Sequence, residues 1–188
     1  MRVVGPRVIS RVLGFAVLAF ALASPVAMAQ KERKGLALAP GQTAPELRGR
    51  THDDVYVMVD YATQELTIVN FWAPWCEPCK AEMPALQSLV DKHDQLQVIG
   101  VLQDQPQPED LAVFLEDLEV LYANIYPWPR AYKQWGEIRI LPTSFLIDKQ
   151  GKILRRYIGS SEKQVVGLKF DIDSYLAGGG LGPYIYPE

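Results

Sequence analysis

Cysteine and histidine are scarce in this chain, with two of each in 188 residues. A structural zinc site needs four ligands, and Cys76, Cys79, His52 and His93 lack finger-like spacing, so no metal centre is expected. The two cysteines are too few for a disulfide framework, and a bridge across so short a loop removes little chain entropy. Positive charge is not in excess either: 19 Lys and Arg stand against 22 Asp and Glu. That balance argues against a nucleic-acid or anionic-membrane surface. There is no internal repeat or low-complexity segment, and the N-terminal apolar run falls short of the ~20 residues of a comfortable membrane span.

The N-terminus carries a leader pattern. Arg2, Arg7 and Arg11 form a basic stretch, Val12 to Ala23 an apolar one, and Ala27-Met28-Ala29 a small-x-small cleavage site. No twin arginine occurs, and no cysteine near the cleavage site could carry a lipid. Residues 1–29 are therefore expected to be a signal peptide cleaved before Gln30, with the mature chain in the periplasm. Left uncleaved, the same segment would be a membrane anchor. Cleavage would leave 16 Lys and Arg against 22 Asp and Glu, a net charge of −6, in a chain of one-domain length.

What is present is concentrated in Asn70-Phe71-Trp72-Ala73-Pro74-Trp75-Cys76-Glu77-Pro78-Cys79-Lys80. An apolar strand-like run leads into it and an amphipathic helical pattern leads out, so the cysteine pair is expected where a helix begins. There, unpaired N–H groups and the positive end of the helix dipole stabilise a thiolate on Cys76. Haem attachment would need His after Cys79, and Lys80 stands there. The pair reads as a redox dithiol, its Cys76–Cys79 disulfide serving in place of any cofactor.

Along the chain, residues 30–40 read as a linker. Val55–Val59 is β-rich and is expected to form an entry hairpin with Leu66–Trp72, which has the predominantly apolar character of a buried central strand. From Cys76 a helical wheel places Cys76, Cys79, Met83, Leu86, Leu89, Val90 and His93 on one side. Lys80, Ala81, Gln87, Ser88, Asp91 and Lys92 fall on the other. Glu82 breaks this division by projecting into the apolar stripe, and Pro84 is expected to cost one backbone hydrogen bond and bend the helix. Leu96–Leu102 is the next strand and Glu109–Leu118 the next helix. Tyr122–Tyr126 and Arg130–Trp135 suggest a strand and a short helix. Ser144–Asp148 and Ile153–Ile158 form a hairpin, a last helix carries Val165, Leu168, Ile172, Tyr175 and Leu176, and residues 178–188 read as a mobile tail. Alternation of strand and helix is the mark of an α/β domain with parallel pairing.

This order of elements resembles the thioredoxin fold, and more narrowly the extracytoplasmic thiol:disulfide oxidoreductases of the TlpA/ResA type. The likeness covers residues 41–177 and rests on Asn70 through Cys79, Lys80-Ala81-Glu82-Met83-Pro84, and Leu141-Pro142-Thr143-Ser144-Phe145-Leu146-Ile147-Asp148. It implies a central mixed β-sheet flanked by helices, an N-terminal hairpin, and a strand–helix insertion within residues 103–130. It also implies that Pro142 is cis and faces the cysteines, where the adjoining backbone would pair with a substrate polypeptide. Cytoplasmic thioredoxin has a buried aspartate where this chain has Asn70, which cannot titrate. The similar membrane-associated reductases have a glutamate where Glu82 stands.

From these residues a division of labour is expected. Cys76 attacks a substrate disulfide, Cys79 resolves the mixed disulfide, and Glu82 accepts the Cys79 proton. Glu77 places a negative charge between the cysteines, opposing the helix dipole and favouring a reductant, and Pro78 limits the loop. Trp75, Leu141 and Pro142 are expected to form the docking surface. The resemblance implies periplasmic reduction of protein disulfides, with apocytochrome c cysteines as the substrate class and a membrane thiol transporter as electron donor. Two alternatives stay open: an oxidase that introduces disulfides, and a Cu(I)-binding or copper-site dithiol module, which soft thiolates favour.

Overall fold

A computed structural model describes residues 37–183. The expected signal peptide and most of the expected linker lie outside the described residues. The strands are β1 (Arg48–Arg50), β2 (Tyr56–Met58), β3 (Leu66–Trp72), β4 (Leu96–Leu102), β5 (Asn124–Pro127), β6 (Thr143–Asp148) and β7 (Ile153–Ile158). The helices are α1 (Glu77–Lys92), α2 (Pro108–Asp117), α3 (Pro129–Lys133) and α4 (Glu162–Leu176), with a 3₁₀ turn at Tyr61–Thr63. The strands form one mixed sheet in the order β2-β1-β5-β4-β3-β6-β7. This is the thioredoxin-type α/β arrangement, with helices on both faces.

The centre of the sheet follows from composition. All seven residues of β3 are buried, because β4 pairs with it in parallel on one side and β6 antiparallel on the other. Parallel pairing of consecutive strands requires a crossover, which α1 supplies. Residues 66, 68 and 72 of β3 face a core completed by Met83, Leu86 and Leu89 of α1, Leu111 and Leu115 of α2, and Leu168 and Ile172 of α4. Val69 and Phe71 face the opposite core, where Trp135 and Phe145 meet Phe71 at ring-centroid distances of 5.4 and 5.8 Å. Trp135 therefore packs inside, whereas Trp128 lies on the surface against Tyr56 and the Arg48 guanidinium.

Four local expectations change. β2 does not pair with β3: both edges of β3 are taken by β4 and β6, so β2 pairs with β1 instead, at the far end of the sheet. The segment 103–130 holds helix α2 and then strand β5, the order read along the chain and the reverse of the strand–helix order the resemblance implied, with β5 extending the sheet beside β4 and pairing on its other side with β1. The linker end is not free, since Leu38 N–H donates to the Trp135 carbonyl and Arg156 donates to the Ala37 and Leu38 carbonyls. The start of the tail is tied down as well. Gly182 N–H donates to Asp171 at 2.7 Å, the Arg155 guanidinium donates to the Gly182 carbonyl, and Ser174 Oγ donates to the Gly180 carbonyl. Pro84 lies within α1, which continues unbroken to Lys92 and ends at His93, where the ring meets Asp173 of α4 at 2.7 Å.

Candidate active site

β3 ends at Trp72, and the turn Ala73-Pro74-Trp75 delivers Cys76 to the cap position of α1. Cys76 has an extended backbone, and its Sγ accepts the Cys79 N–H at 3.2 Å, while its carbonyl accepts Cys79 and Lys80 N–H. A sulfur thus does the work usually done by a Ser or Asp oxygen at a helix N-terminus. Cys76 and Cys79 form a disulfide. Both are buried in this form, Cys76 at 5% exposure and Cys79 at 1%, so the expected difference in access between them is small.

Glu82 is the buried acid of the site, at 4% exposure on the α1 stripe one turn beyond Cys79. Pro84 does not carry it out to water. Asn70 Nδ2 donates to Glu82 Oε2 at 3.1 Å and to Ser144 Oγ at 2.8 Å, joining the central strand to α1 and β6. Removal from water pushes the Glu82 carboxyl up to about 7, against which the Asn70 hydrogen bond pulls weakly downward. A carboxyl titrating near neutrality can take a proton and give it back at physiological pH.

Pro142 follows a cis Leu141–Pro142 peptide bond. The β3–β6 register pairs Phe71 with Thr143, so the next step places Pro142 beside Trp72, at the end of the sheet from which the cysteine turn emerges. Pro142 is itself buried and Leu141 half-buried. The exposed apolar side chains at this end are Trp75, at 67%, and Ile140, at 55%. Ile140 was not singled out by the sequence pattern. Its signal was an apolar residue directly before Leu141-Pro142, where no strand or helix needed one.

Glu77 is placed as expected between the cysteines, but Lys80 Nζ lies 2.6 Å from its carboxylate and also 5.9 Å from the Phe114 ring. The Glu77 charge is therefore shared with a neighbouring cation and is largely in solvent. Its opposition to the helix dipole at Cys76 is weaker than the sequence alone implies. Pro78 is exposed in the first turn, where its missing N–H costs nothing.

Gln87 is the residue that helical periodicity misplaces. It falls on the polar side of the wheel yet is buried, with its Oε1 accepting the backbone N–H groups of Leu121 and Tyr122 at 2.8 and 3.1 Å. A buried amide satisfying two backbone donors from a distant segment has no signature in local spacing.

Comparison with known proteins agrees with this geometry. Residues 40–158 match the AhpC/TSA family. The chain is 32% identical over 159 residues to the thiol:disulfide interchange protein HelX of Rhodobacter capsulatus, covering 83% of this chain and 81% of that protein. It is 35% identical over 99 residues to the thiol-disulfide oxidoreductase ResA of Bacillus thuringiensis, covering 51% of this chain and 56% of ResA. A thioredoxin-family thiol:disulfide interchange protein of Chlorobium tepidum superposes with a TM-score of 0.57 at 25% identity, over 69% of this chain and 94% of its own. With the cysteine pair capping α1 and a family match over most of the described fold, the chain belongs to the AhpC/TSA family, as a thioredoxin-like thiol:disulfide oxidoreductase.

Proposed function

We propose that the protein is a periplasmic reductant of protein disulfides, acting on haem-binding cysteines of apocytochrome c. The observation that carries this reading is the buried Glu82, held by Asn70 on the same helical stripe as Cys79. An oxidase benefits from a strongly stabilised thiolate at the attacking cysteine. A reductant instead needs the resolving thiol to lose its proton quickly, and a carboxyl titrating near 7 serves that step.

The cycle balances as follows. The Cys76 thiolate attacks one sulfur of a substrate disulfide, and the other sulfur leaves with the bonding pair and takes a proton. Cys79 passes its proton to the Glu82 carboxylate, and the new thiolate attacks Cys76 Sγ. Closure of the Cys76–Cys79 bond expels the second substrate sulfur as a thiolate. Two electrons have moved to the substrate, and a membrane dithiol transporter returns two to the protein. No cofactor beyond the disulfide is required. Trp75, Ile140 and Leu141 offer the substrate an apolar seat, and the backbone beside Pro142 offers it hydrogen bonds.

The deciding measurement is the midpoint potential of the Cys76–Cys79 couple, read from tryptophan fluorescence in dithiothreitol buffers. A value near or below roughly −250 mV is expected of a thioredoxin-like reductant. A value near roughly −120 mV belongs to strong oxidases and would overturn the assignment.

A further inference from the structure

Behind the disulfide, one row of side chains crosses the four central strands. Ser144 of β6 pairs with Asn70 of β3, Asn70 with Gly100 of β4, and Gly100 with Asn124 of β5. Paired positions share a face of the sheet, and this is the face covered by α1. Three members are polar and buried, on a face otherwise built mainly from apolar and aromatic side chains. The fourth is glycine for a steric reason: a Cβ on Gly100 would lie 1.9 Å from Asn124 Oδ1 and 2.8 Å from Trp72 Nε1.

Tyr122 enters this region from the stretch between α2 and β5. Its backbone is held at both ends by buried amides: Gln87 Oε1 accepts its N–H, and Asn124 Nδ2 donates to its carbonyl at 2.9 Å. The side chain is thereby committed to the core shared with Cys79 and Met83. Its hydroxyl has no hydrogen-bond partner among the described residues, and the same is true of Trp72 Nε1, Asn70 Oδ1 and Asn124 Oδ1. Two donors and two acceptors left unpaired in one buried region are the lining that ordered water requires.

We propose that Tyr122 is a positioning residue for Glu82, its hydroxyl reaching the carboxylate through water held by Asn70, Trp72 and Asn124. The proposal rests on the role of Glu82 given above and extends it to the segment between α2 and β5. That segment is clipped onto α1 by Gln87, which brings Tyr122 within range of the Glu82 charge. The burial of Tyr122 and the nearby Glu82 charge both hold its phenol in the neutral, donating form. The titratable group beside Glu82 is Tyr122, Cys79 on α1 being held in the disulfide. β3, β4, β5 and β6 contribute the neutral Asn70, Gly100, Asn124 and Ser144, and no cation contributes to the Glu82 shift.

The test is a carboxyl-carbon NMR titration of Glu82 in the oxidised protein, in wild type, Tyr122→Phe and Gln87→Met. A donor to the carboxylate lowers its pKa, so Tyr122→Phe is expected to move the Glu82 titration upward by about half a unit to one unit. Gln87→Met, which keeps the hydroxyl but loosens its clip, is expected to move it in the same direction. Tyr122→Phe should also slow disulfide exchange severalfold at pH 7 without changing KM, and have no further effect on rate in a Glu82→Gln background. A Glu82 titration unmoved in both variants would overturn the proposal. Equal exchange rates in Glu82→Gln and wild type would instead overturn the Glu82 role, while the titration still decides whether Tyr122 acts on it.

Discussion

Asn70 on the central strand donates to Glu82 on the first helix across 3.1 Å of buried space, at the position where thioredoxin itself carries a titrating aspartate. The strand keeps a polar anchor that cannot titrate, and the proton-accepting role proposed above belongs to Glu82 on the cysteine helix. A neutral amide at position 70 suits this arrangement, because two carboxylates at such a separation could not both ionise.

Glu82→Gln keeps the size and the Asn70 contact but cannot take a proton. Exchange with a protein disulfide at pH 7 is expected to fall by about 10²-fold, and the rate should lose its inflection near neutrality. Stopped-flow reduction of insulin followed across pH 5–9 checks both. An unchanged profile would remove Glu82 from the mechanism.

The same carboxyl links pH to stability. Its folded pKa of about 7 lies above the unfolded value of 4.5, so the folded state binds the proton more tightly. This contribution is fully present below pH 4.5 and is lost as pH rises through 7. Across that window the wild type is expected to lose about 3 kcal/mol relative to Glu82→Gln. Denaturant unfolding of the oxidised proteins at several pH values reads the difference. Parallel curves for the two proteins would contradict the burial assigned to Glu82.

Asn70→Ala removes donors from Glu82 and Ser144 at once. Two buried acceptors are then unpaired, and the expected cost is about 2–4 kcal/mol of stability. Because the Asn70 hydrogen bond is what lowers the Glu82 carboxyl, its titration should also move further upward. Chemical denaturation and NMR titration report the two effects separately.

Cys79→Ser should trap the covalent complex. With the resolving sulfur gone, Cys76 forms a mixed disulfide that only an external thiol can release. Non-reducing gels and intact mass are expected to show the adduct in Cys79→Ser and none in Cys76→Ser. Adducts through position 79 would reverse the assigned roles.

Sequence pattern located the elements that depend on their own residues. The predominantly apolar runs of β3 and β4 mark buried strands, and the stripe of Cys79, Met83, Leu86 and Leu89 marks the packed side of α1. What it missed depends on partners far along the chain. Val55–Val59 reads as a strand, but nothing in it says that the edges of β3 are occupied. Gln87 looks solvated until residues 121 and 122 fold against it, 34 and 35 positions away. Lys80 lies one turn from Glu77 in plain view, yet its weakening of the Glu77 charge emerges only once both side chains have a direction. The buried Glu82 was visible as a violation of the wheel, since an acid inside an apolar stripe requires a reason.

β3, clamped over its full length between β4 and β6, carries Asn70 within it and releases Cys76 just past its end. Amide protons in such a strand exchange with solvent only when the whole domain opens. The reactive pair thus hangs from the segment least able to fray. Exchange at Cys76 can then proceed at the strand's end while the Asn70–Glu82 contact behind it stays insulated from local breathing. A protein that exchanges disulfides with other proteins is thereby protected from strain transmitted through the mixed disulfide.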